Sequence, residues 1–287
     1  MNTDLYLIEP KKKVNLKDFP TTYKGKLTKD QVTKNLMPKN LDKMAELQER
    51  FYAEDRHGLV IVLQAMDAAG KDGLIKHVFT ALNPQGVQVT PFKQPNEEEL
   101  DHDYLWRITR SLPRRGNIAI FNRSHYEDVL VTRVHNLLEV QQIPQNLVDD
   151  DIWDRRFKEI SNFEEYLNNN GIHVVKFFLH VSKEEQKERL LARIDEEEKN
   201  WKFSGSDISE RKYWDEYQKA YEDLMEHTAT KDSPWYVIPA DRKWFARYLV
   251  SEIMVKTLEK INPQFPDLPK EEKAKLGEWR ELLVDEK

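Results

Sequence analysis

The sequence predicts an α/β chain, a parallel sheet covered by helices on both faces. Three observations carry that expectation. Short runs of β-branched and aliphatic residues recur along the 287 residues without polar alternation, as parallel strands buried on both faces require. Helical periodicity fills the intervals, so strand and helix alternate. The first run, LVIVL at 59–63, passes through a turn of small residues into Gly70-Lys71 and then a helix. In that layout the backbone amides of the turn and of the helix start face an anion, and the lysine adds a mobile positive charge.

The first forty residues are polar and lysine-rich, a solvated arm packed on the domain surface, in which Pro10, Pro20 and Pro38 should interrupt any long element. A helix follows over 40–53, with Leu41, Met44, Leu47, Gln48 and Phe51 on one face. The strand at 59–63 should break at Gln64, and the next helix should begin after Gly73, with Leu74, Ile75, Val78, Phe79 and Leu82 inward. Asn83-Pro84-Gln85-Gly86 is a turn, and 87–92 a second strand. A helix over 96–112 starts acidic and ends basic, which suits the helix dipole. Arg107, Arg110 and Arg114 would then form a stripe, a candidate entry path for a polyanion. Residues 117–121 form a third strand, 147–170 a helix ended by Gly171, 174–181 a fourth strand and 235–238 a fifth. Helices at 183–197 and near 210–230 lie between the last two strands, and one at 242–260 follows them. After Pro263, Pro266 and Pro269 comes a charged amphipathic helix with Leu276, Trp279 and Leu283 on one face.

Composition narrows the function. Hydrophobic residues make up 39% and charged residues 33%, so a core is available beneath a heavily charged surface. A net charge of −6 argues against a bulk electrostatic nucleic-acid binder. With no cysteine there is no disulfide, thiolate metal site or thiol nucleophile. No apolar run approaches a membrane span, and the first residues, MNTDLYLIEPKKK, lack a secretory core. A cytoplasmic protein with neither nucleic acid nor membrane as partner is expected.

Three constellations carry chemistry. The phosphate loop departs from G-x-x-x-x-G-K-[ST]: Ala65 stands at the first glycine and Asp72 at the Ser/Thr. An ordinary strand–turn–helix with a capping Asp is the alternative. Ala68, Ala69, Gly70, Lys71 and Asp72 are the phosphate-binding candidates. Asp67 and Asp72 flank the Gly-Lys pair, which suits a pocket that also holds Mg²⁺, since Mg²⁺ takes carboxylate oxygen together with substrate phosphate. The second constellation, 121–128, follows a buried strand and therefore sits at the carboxyl edge of the sheet, where open α/β folds bind ligands. Asn122 occupies the place of a Walker-B acid, so the metal role falls on Asp67. Arg123 can fork onto phosphate. Glu127 and Asp128 either serve a metal or complement a helix start, and His125 reads as structural. The third is 183–214. Arg189 and Arg193 lie four apart, followed by Lys199, Lys202 and Arg211 around Ser204-Gly205-Ser206. This is the layout of a mobile lid over phosphates, with solvated surface charge as the alternative for each residue. Arg133 is a further phosphate-ligand candidate.

Five motifs in order complete the reading: Met66–Gly73 as MDAAGKDG, Asn83–Gly86 as NPQG, Asp103–Arg107 as DYLWR, Phe121–Glu127 as FNRSHYE and Trp235–Ala240 as WYVIPA. Over roughly 10–262 the chain resembles the polyphosphate kinase 2 family, and its SHYED form and single domain look most like the class III members. The resemblance implies a P-loop kinase-like three-layer α/β/α sandwich, with about five parallel strands and a helical lid. It also implies reversible, Mg²⁺-dependent transfer of phosphoryl groups between inorganic polyphosphate and ADP or AMP, with Mn²⁺ as a substitute metal, in a homodimer or homotetramer. Carried over residue by residue, Asp67 is the metal-holding aspartate, Lys71 the Walker lysine and Arg123 the arginine after the third strand. Asn122 stands where some members have Asp and is kept as a polar contact with Glu127. The expected organisation is an arm at 1–40, a catalytic domain at 41–262 with its lid at about 183–214, and a tail with a short helix at 263–287. Two rival functions stay open: an ATP-dependent nucleoside monophosphate kinase on the same fold, and a non-catalytic nucleotide- or polyphosphate-binding module.

Overall fold

The computed structural model describes residues 1–286. Five parallel strands are ordered β2-β3-β1-β4-β5: β1 (Gly58–Ala65), β2 (Val87–Pro91), β3 (Ile118–Asn122), β4 (Ile172–His180) and β5 (Trp235–Pro239). β1 is central and buried along its whole length, and it runs through Gln64 to Ala65 rather than breaking at Gln64. The Gln64 amide is satisfied inside by the Ser124 hydroxyl, at 3.1 Å, so the polar residue continues the strand. Helices α1 (Met37–Glu54), α2 (Lys71–Val78) and α6 (Lys243–Ile261) pack together as one layer. α3 (Ile152–Asn169) and α5 (Trp214–Thr228) form the other, and α4 (Lys183–Asp195) starts the lid.

Several local expectations are corrected. Pro38 does not interrupt the chain. Helix runs from Lys29–Gln31 through a π-turn at Val32–Leu36 into α1, with Pro38 in the first turn of α1. The widened turn and the N-terminal position accommodate a residue that lacks an N–H. The arm does pack on the domain, as expected: Tyr6, Ile8, Val14 and Leu16 are buried, and Ile8 N–H donates to Trp235 O at 2.9 Å along β5. α2 begins at Lys71, not after Gly73, and ends at Val78, so Phe79 and Leu82 are buried beyond the helix.

The helix expected over 96–112 is two short ones, Glu97–Leu100 and Trp106–Thr109. Asn96 and Glu99 form a capping box on the first, and the Asp103 carboxylate accepts from Leu105 N–H at 2.9 Å, opening a separate turn. The arginine stripe therefore does not form. Arg107 is buried and donates to Lys93 O at 2.8 Å, while Arg110 lies 4.6 Å over the Trp106 ring. The last helix, α7 (Lys270–Asp285), is exposed along its length. Among the described residues no helix is long and apolar enough to cross a membrane.

Candidate active site

All five strands end at one edge, and the site is built there. β1 delivers the loop 66–70. Ala68 and Gly70 take positive φ, +59° and +112°, which turns the chain sharply enough for α2 to start at Lys71. Gly70 caps α2 without a side chain, so the first amides of the helix open onto the edge of the sheet. The Lys71 ammonium folds back to donate to Ala65 O at 3.1 Å. Burial pushes its pKa down to about 8, with the Arg123 guanidinium adding to the shift and Asp67 opposing it.

β3 delivers Asn122 and Arg123. Arg123 has φ +65°, a left-handed conformation disfavoured for a side chain this large. Its guanidinium donates through Nη2 to Asp67 Oδ1 at 2.5 Å and through Nη1 to Glu127 Oε2 at 3.0 Å. Glu127, then Asp67, hold its pKa above the ordinary arginine value. Asn122 Nδ2 donates to Asp72 Oδ1 at 2.8 Å. Each acid of the floor thus has a protein partner. Glu127 also keeps one buried carboxylate oxygen, Oε1, without a hydrogen bond.

α4 rises over this floor. Gln186 Nε2 donates to Asp67 O at 2.9 Å. Arg189 Nη1 reaches Ala68 O and Ala69 O at 3.2 and 2.6 Å, and Nη2 reaches Ala240 O and Asp241 O at 2.6 and 3.2 Å, while Nε bonds Glu185 at 2.8 Å. Its donors are engaged by carbonyls and a carboxylate, so it ties the phosphate loop to the end of β5. Arg193 binds Asp207 Oδ2 at 2.8 Å and Lys202 O at 3.1 Å. Lys199 pairs with Glu196, and the Lys202 ammonium lies 4.9 Å over the ring of Trp201, which is 79% exposed.

Together these elements enclose a cavity of about 620 Å³. Of the residues expected from sequence, Asp67, Ala68, Ala69, Gly70, Lys71, Asp72, Asn122, Arg123, Arg189, Arg193, Lys199 and Lys202 line it. Three expected residues do not. Glu127 stands behind Arg123. Arg133 pairs with Asp223 at 2.8 Å beside Trp153, and Arg211 donates to Gln186 Oε1 at 2.5 Å and Lys183 O at 3.1 Å at the base of the lid. Five ionisable lining residues were missed: Lys76, His77, Lys93, Lys243 and Arg247. The signal was available for three of them. Lys93 follows β2, and Lys243 and Arg247 follow β5 four residues apart, so the strand-end rule that found Arg123 finds them too. The lining holds six lysines and four arginines against two aspartates, in a chain of net charge −6. A multiply charged anion complements such a concentration of cations.

No group of three His, Cys, Asp or Glu side chains that could hold a metal is present among the described residues. The donor set nevertheless fits a metal that arrives with phosphate. Mg²⁺ binds one or two carboxylates and completes its shell with substrate oxygen and water. Asp67 is cavity-lining, and one of its oxygens is already oriented by Arg123.

The polyphosphate kinase 2 family model matches residues 26–266. The chain belongs to the polyphosphate kinase 2 family. It is 43% identical over 286 residues to an ADP-polyphosphate phosphotransferase of Rhodopseudomonas palustris, covering 99% of each chain. It is 50% identical over 224 residues to an AMP/ADP-polyphosphate phosphotransferase of Meiothermus ruber, covering 78% of this chain and 80% of that one. Among solved structures it resembles polyphosphate kinase 2 from Arthrobacter aurescens, with TM-score 0.83, 40% identity and coverage of 91% and 88%. Family and fold agree with the expectation from sequence, including the parallel five-stranded sheet.

Proposed function

We propose that this chain transfers the terminal phosphoryl group of inorganic polyphosphate to ADP and to AMP, reversibly and with Mg²⁺ or Mn²⁺ as cofactor. The observation that carries the reading is the cavity wall, where ten cations converge from the phosphate loop, three strand ends and the lid upon two aspartates. A donor that is a repeating polyanion has no base to recognise, so charge distributed along a groove is the way to hold it. The names of the relatives from R. palustris and M. ruber support the acceptor range.

In this reading an oxygen of the acceptor's terminal phosphate attacks the end phosphorus of the polyphosphate. The bridging P–O bond breaks, and its electron pair leaves with the shortened chain. Positioning and charge neutralisation supply most of the catalysis in such transfers. Lys71 exchanges Ala65 O for phosphate oxygen. Arg123, held by Asp67 and Glu127, presents a fixed fork to the transferring group. α4 and the lid exclude water so that transfer outruns hydrolysis. Asp67 would hold the metal, which supplies charge neutralisation between donor and acceptor phosphates. Lid residues Arg193, Lys199 and Lys202 follow the chain of the donor. A cytoplasmic homodimer or homotetramer belongs to the same proposal, and light scattering on the purified protein checks the assembly.

The test supplies polyphosphate and Mg²⁺ with ADP in one reaction and AMP in another. ATP from both is the expected result. ATP from ADP alone removes AMP from the proposal. No product in either reaction, from folded protein, returns the chain to the ATP-dependent kinase or the binding module.

A further inference from the structure

A lysine sits in the middle of a buried parallel strand, where hydrocarbon is the rule. Lys176, on β4, is 0% exposed. Its ammonium donates to Glu164 Oε2 of α3, to Tyr126 Oη at 3.1 Å and to Thr228 O at 2.9 Å. Glu164 Oε1 accepts the Tyr126 hydroxyl at 2.8 Å, and the Tyr126 ring meets Trp235 edge-on, with centroids 4.9 Å apart. Nothing in the proposed chemistry uses this cluster, and none of it lines the cavity. Burying two charges is costly, and a pair of similar-sized apolar residues often serves stability as well or better. The cluster therefore calls for a reason beyond stability.

The reason lies in what Tyr126 is attached to. It is three residues from Arg123, whose left-handed φ of +65° has to be imposed from outside. The segment between them is pinned at each end. Arg123 N–H donates to Leu63 O at 3.0 Å, and the Ser124 hydroxyl accepts from Gln64 and from Tyr126 N–H, at 3.1 and 3.2 Å. From there the Tyr126 side chain runs down to Glu164 and Lys176. The same short helix, His125–Val129, carries Glu127, which grips Arg123 from behind.

We infer that Lys176 and Glu164 are positioning residues for the phosphoryl-transfer step, anchoring Tyr126 and thereby fixing the Arg123 guanidinium over the phosphate loop. The inference rests on the function proposed above for its kinetic consequence, though not for its structural one.

The experiment uses the full chain with Tyr126→Phe, with Lys176→Met and Glu164→Leu singly, and with the double variant Lys176→Met/Glu164→Leu. Melting temperature, kcat, KM for polyphosphate and hydrogen exchange of amides 122–129 are measured on each. The single charge deletions should lose stability, because each leaves a partner charge buried alone. The double variant should regain most of the melting temperature, yet keep kcat about tenfold or more below the unsubstituted protein, with KM within about twofold. Tyr126→Phe, which removes one hydroxyl, should lower kcat in the same way and speed exchange at 122–129 while leaving β1 amides protected. Recovery of kcat together with melting temperature in the double variant would assign the cluster to stability alone and overturn the inference. So would a Tyr126→Phe protein with unchanged kcat and unchanged exchange. If the unsubstituted protein transfers no phosphate, the proposed function falls. The exchange measurement then decides the anchoring separately, faster exchange at 122–129 supporting it and unchanged exchange refuting it.

Discussion

The floor of the cavity and its lid are both crowded with charge, but they hold it differently. On the floor each charged group is fixed by another: Arg123 by Asp67 and Glu127, Asp72 by Asn122, Lys71 by Ala65 O. These groups stand on strand ends above a buried sheet, and little can move without disturbing the core. In the lid, Lys199 meets Glu196 in a pair whose side chains are 42% and 46% exposed, and Trp201 projects into solvent. Such pairs are worth about 0–1 kcal/mol and are screened by salt. The difference divides the labour of a phosphoryl-transfer site. In the proposed reading, preorganised charge would lower the barrier and loosely held charge would gather and release the polyanion.

The largest effects should come from the floor. Asp67→Asn, Lys71→Ala and Arg123→Ala are each expected to lower kcat for ATP formation by about 10²–10³-fold or more, with the circular dichroism spectrum unchanged. Near-normal turnover in folded Asp67→Asn protein would erase the distinction between floor and lid.

Lys71 sharpens the comparison through pH. Its pKa in the free protein is pushed down to about 8 from an ordinary 10.5, so the ammonium is lost as pH rises through about 8. The expected result is an alkaline fall in kcat/KM near pH 8. Bound phosphate favours the charged form, so the fall in kcat itself should come at higher pH. For stability the sign is opposite. Between about 8 and 10.5 the unfolded chain binds the proton that the folded chain has released, so this lysine's burial penalty is relieved as pH rises. Lys71→Arg should abolish the limb in kcat/KM near pH 8, and a limb that persists in that variant would assign the titration to another group.

Arg189 lies between the two regions. It belongs to the lid helix, yet its donors reach the carbonyls of Ala68, Ala69, Ala240 and Asp241. Arg189→Lys keeps the charge and loses the fork. It should lower kcat about 10–100-fold, because the phosphate loop is no longer tied to β5, with a smaller change in KM for polyphosphate. A pure KM effect would return Arg189 to the role of phosphate ligand that its spacing first suggested.

The same contrast explains what could be read from the sequence. Floor residues announce themselves locally. Asp67, Lys71 and Arg123 each follow a buried strand within a few residues, and the strand–turn–helix context identified the loop even with Ala65 and Asp72 in unorthodox places. Residues from the outer strands were harder. The strand-end rule marks Lys93 and Lys243 as candidates, but that the edge strands β2 and β5, each two places from the central β1, bring them to the same cavity as the phosphate loop is set by tertiary packing. Arg189 and Arg193 were found as basic residues, but spacing does not reveal that backbone carbonyls and Asp207 occupy their donors. The long helix expected over 96–112 failed for a reason that was legible, since Asn96 with Glu99 and then Asp103 are two successive turn signals. Lys176 in VVKFF broke the apolar rule of a central strand. That a charge there had found Glu164 and Tyr126 could be known only from the fold.

The smallest effects belong to the lid lysines, and they test the comparison most finely. Lys199→Ala and Lys202→Ala each remove a charge that the protein holds weakly and that lines the cavity wall. Neither should alter kcat by more than about twofold, since neither is fixed against the reacting group. Each should raise KM for polyphosphate by about 2–5-fold at low ionic strength, the scale of a single exposed charge contact. Screening shortens the reach of exposed charges to about 8 Å at physiological salt, so the difference from the unsubstituted protein should shrink as salt is added. For the floor variants, whose loss is in kcat and whose charges are partly buried, salt should leave the deficit nearly constant. The decisive measurement is therefore kcat and KM for polyphosphate across a salt series for Lys202→Ala and Arg123→Ala side by side. If the Lys202→Ala deficit appears in kcat and is indifferent to salt, the lid lysine is held as firmly as the floor when substrate is bound, and the division between preorganised and loosely held charge fails.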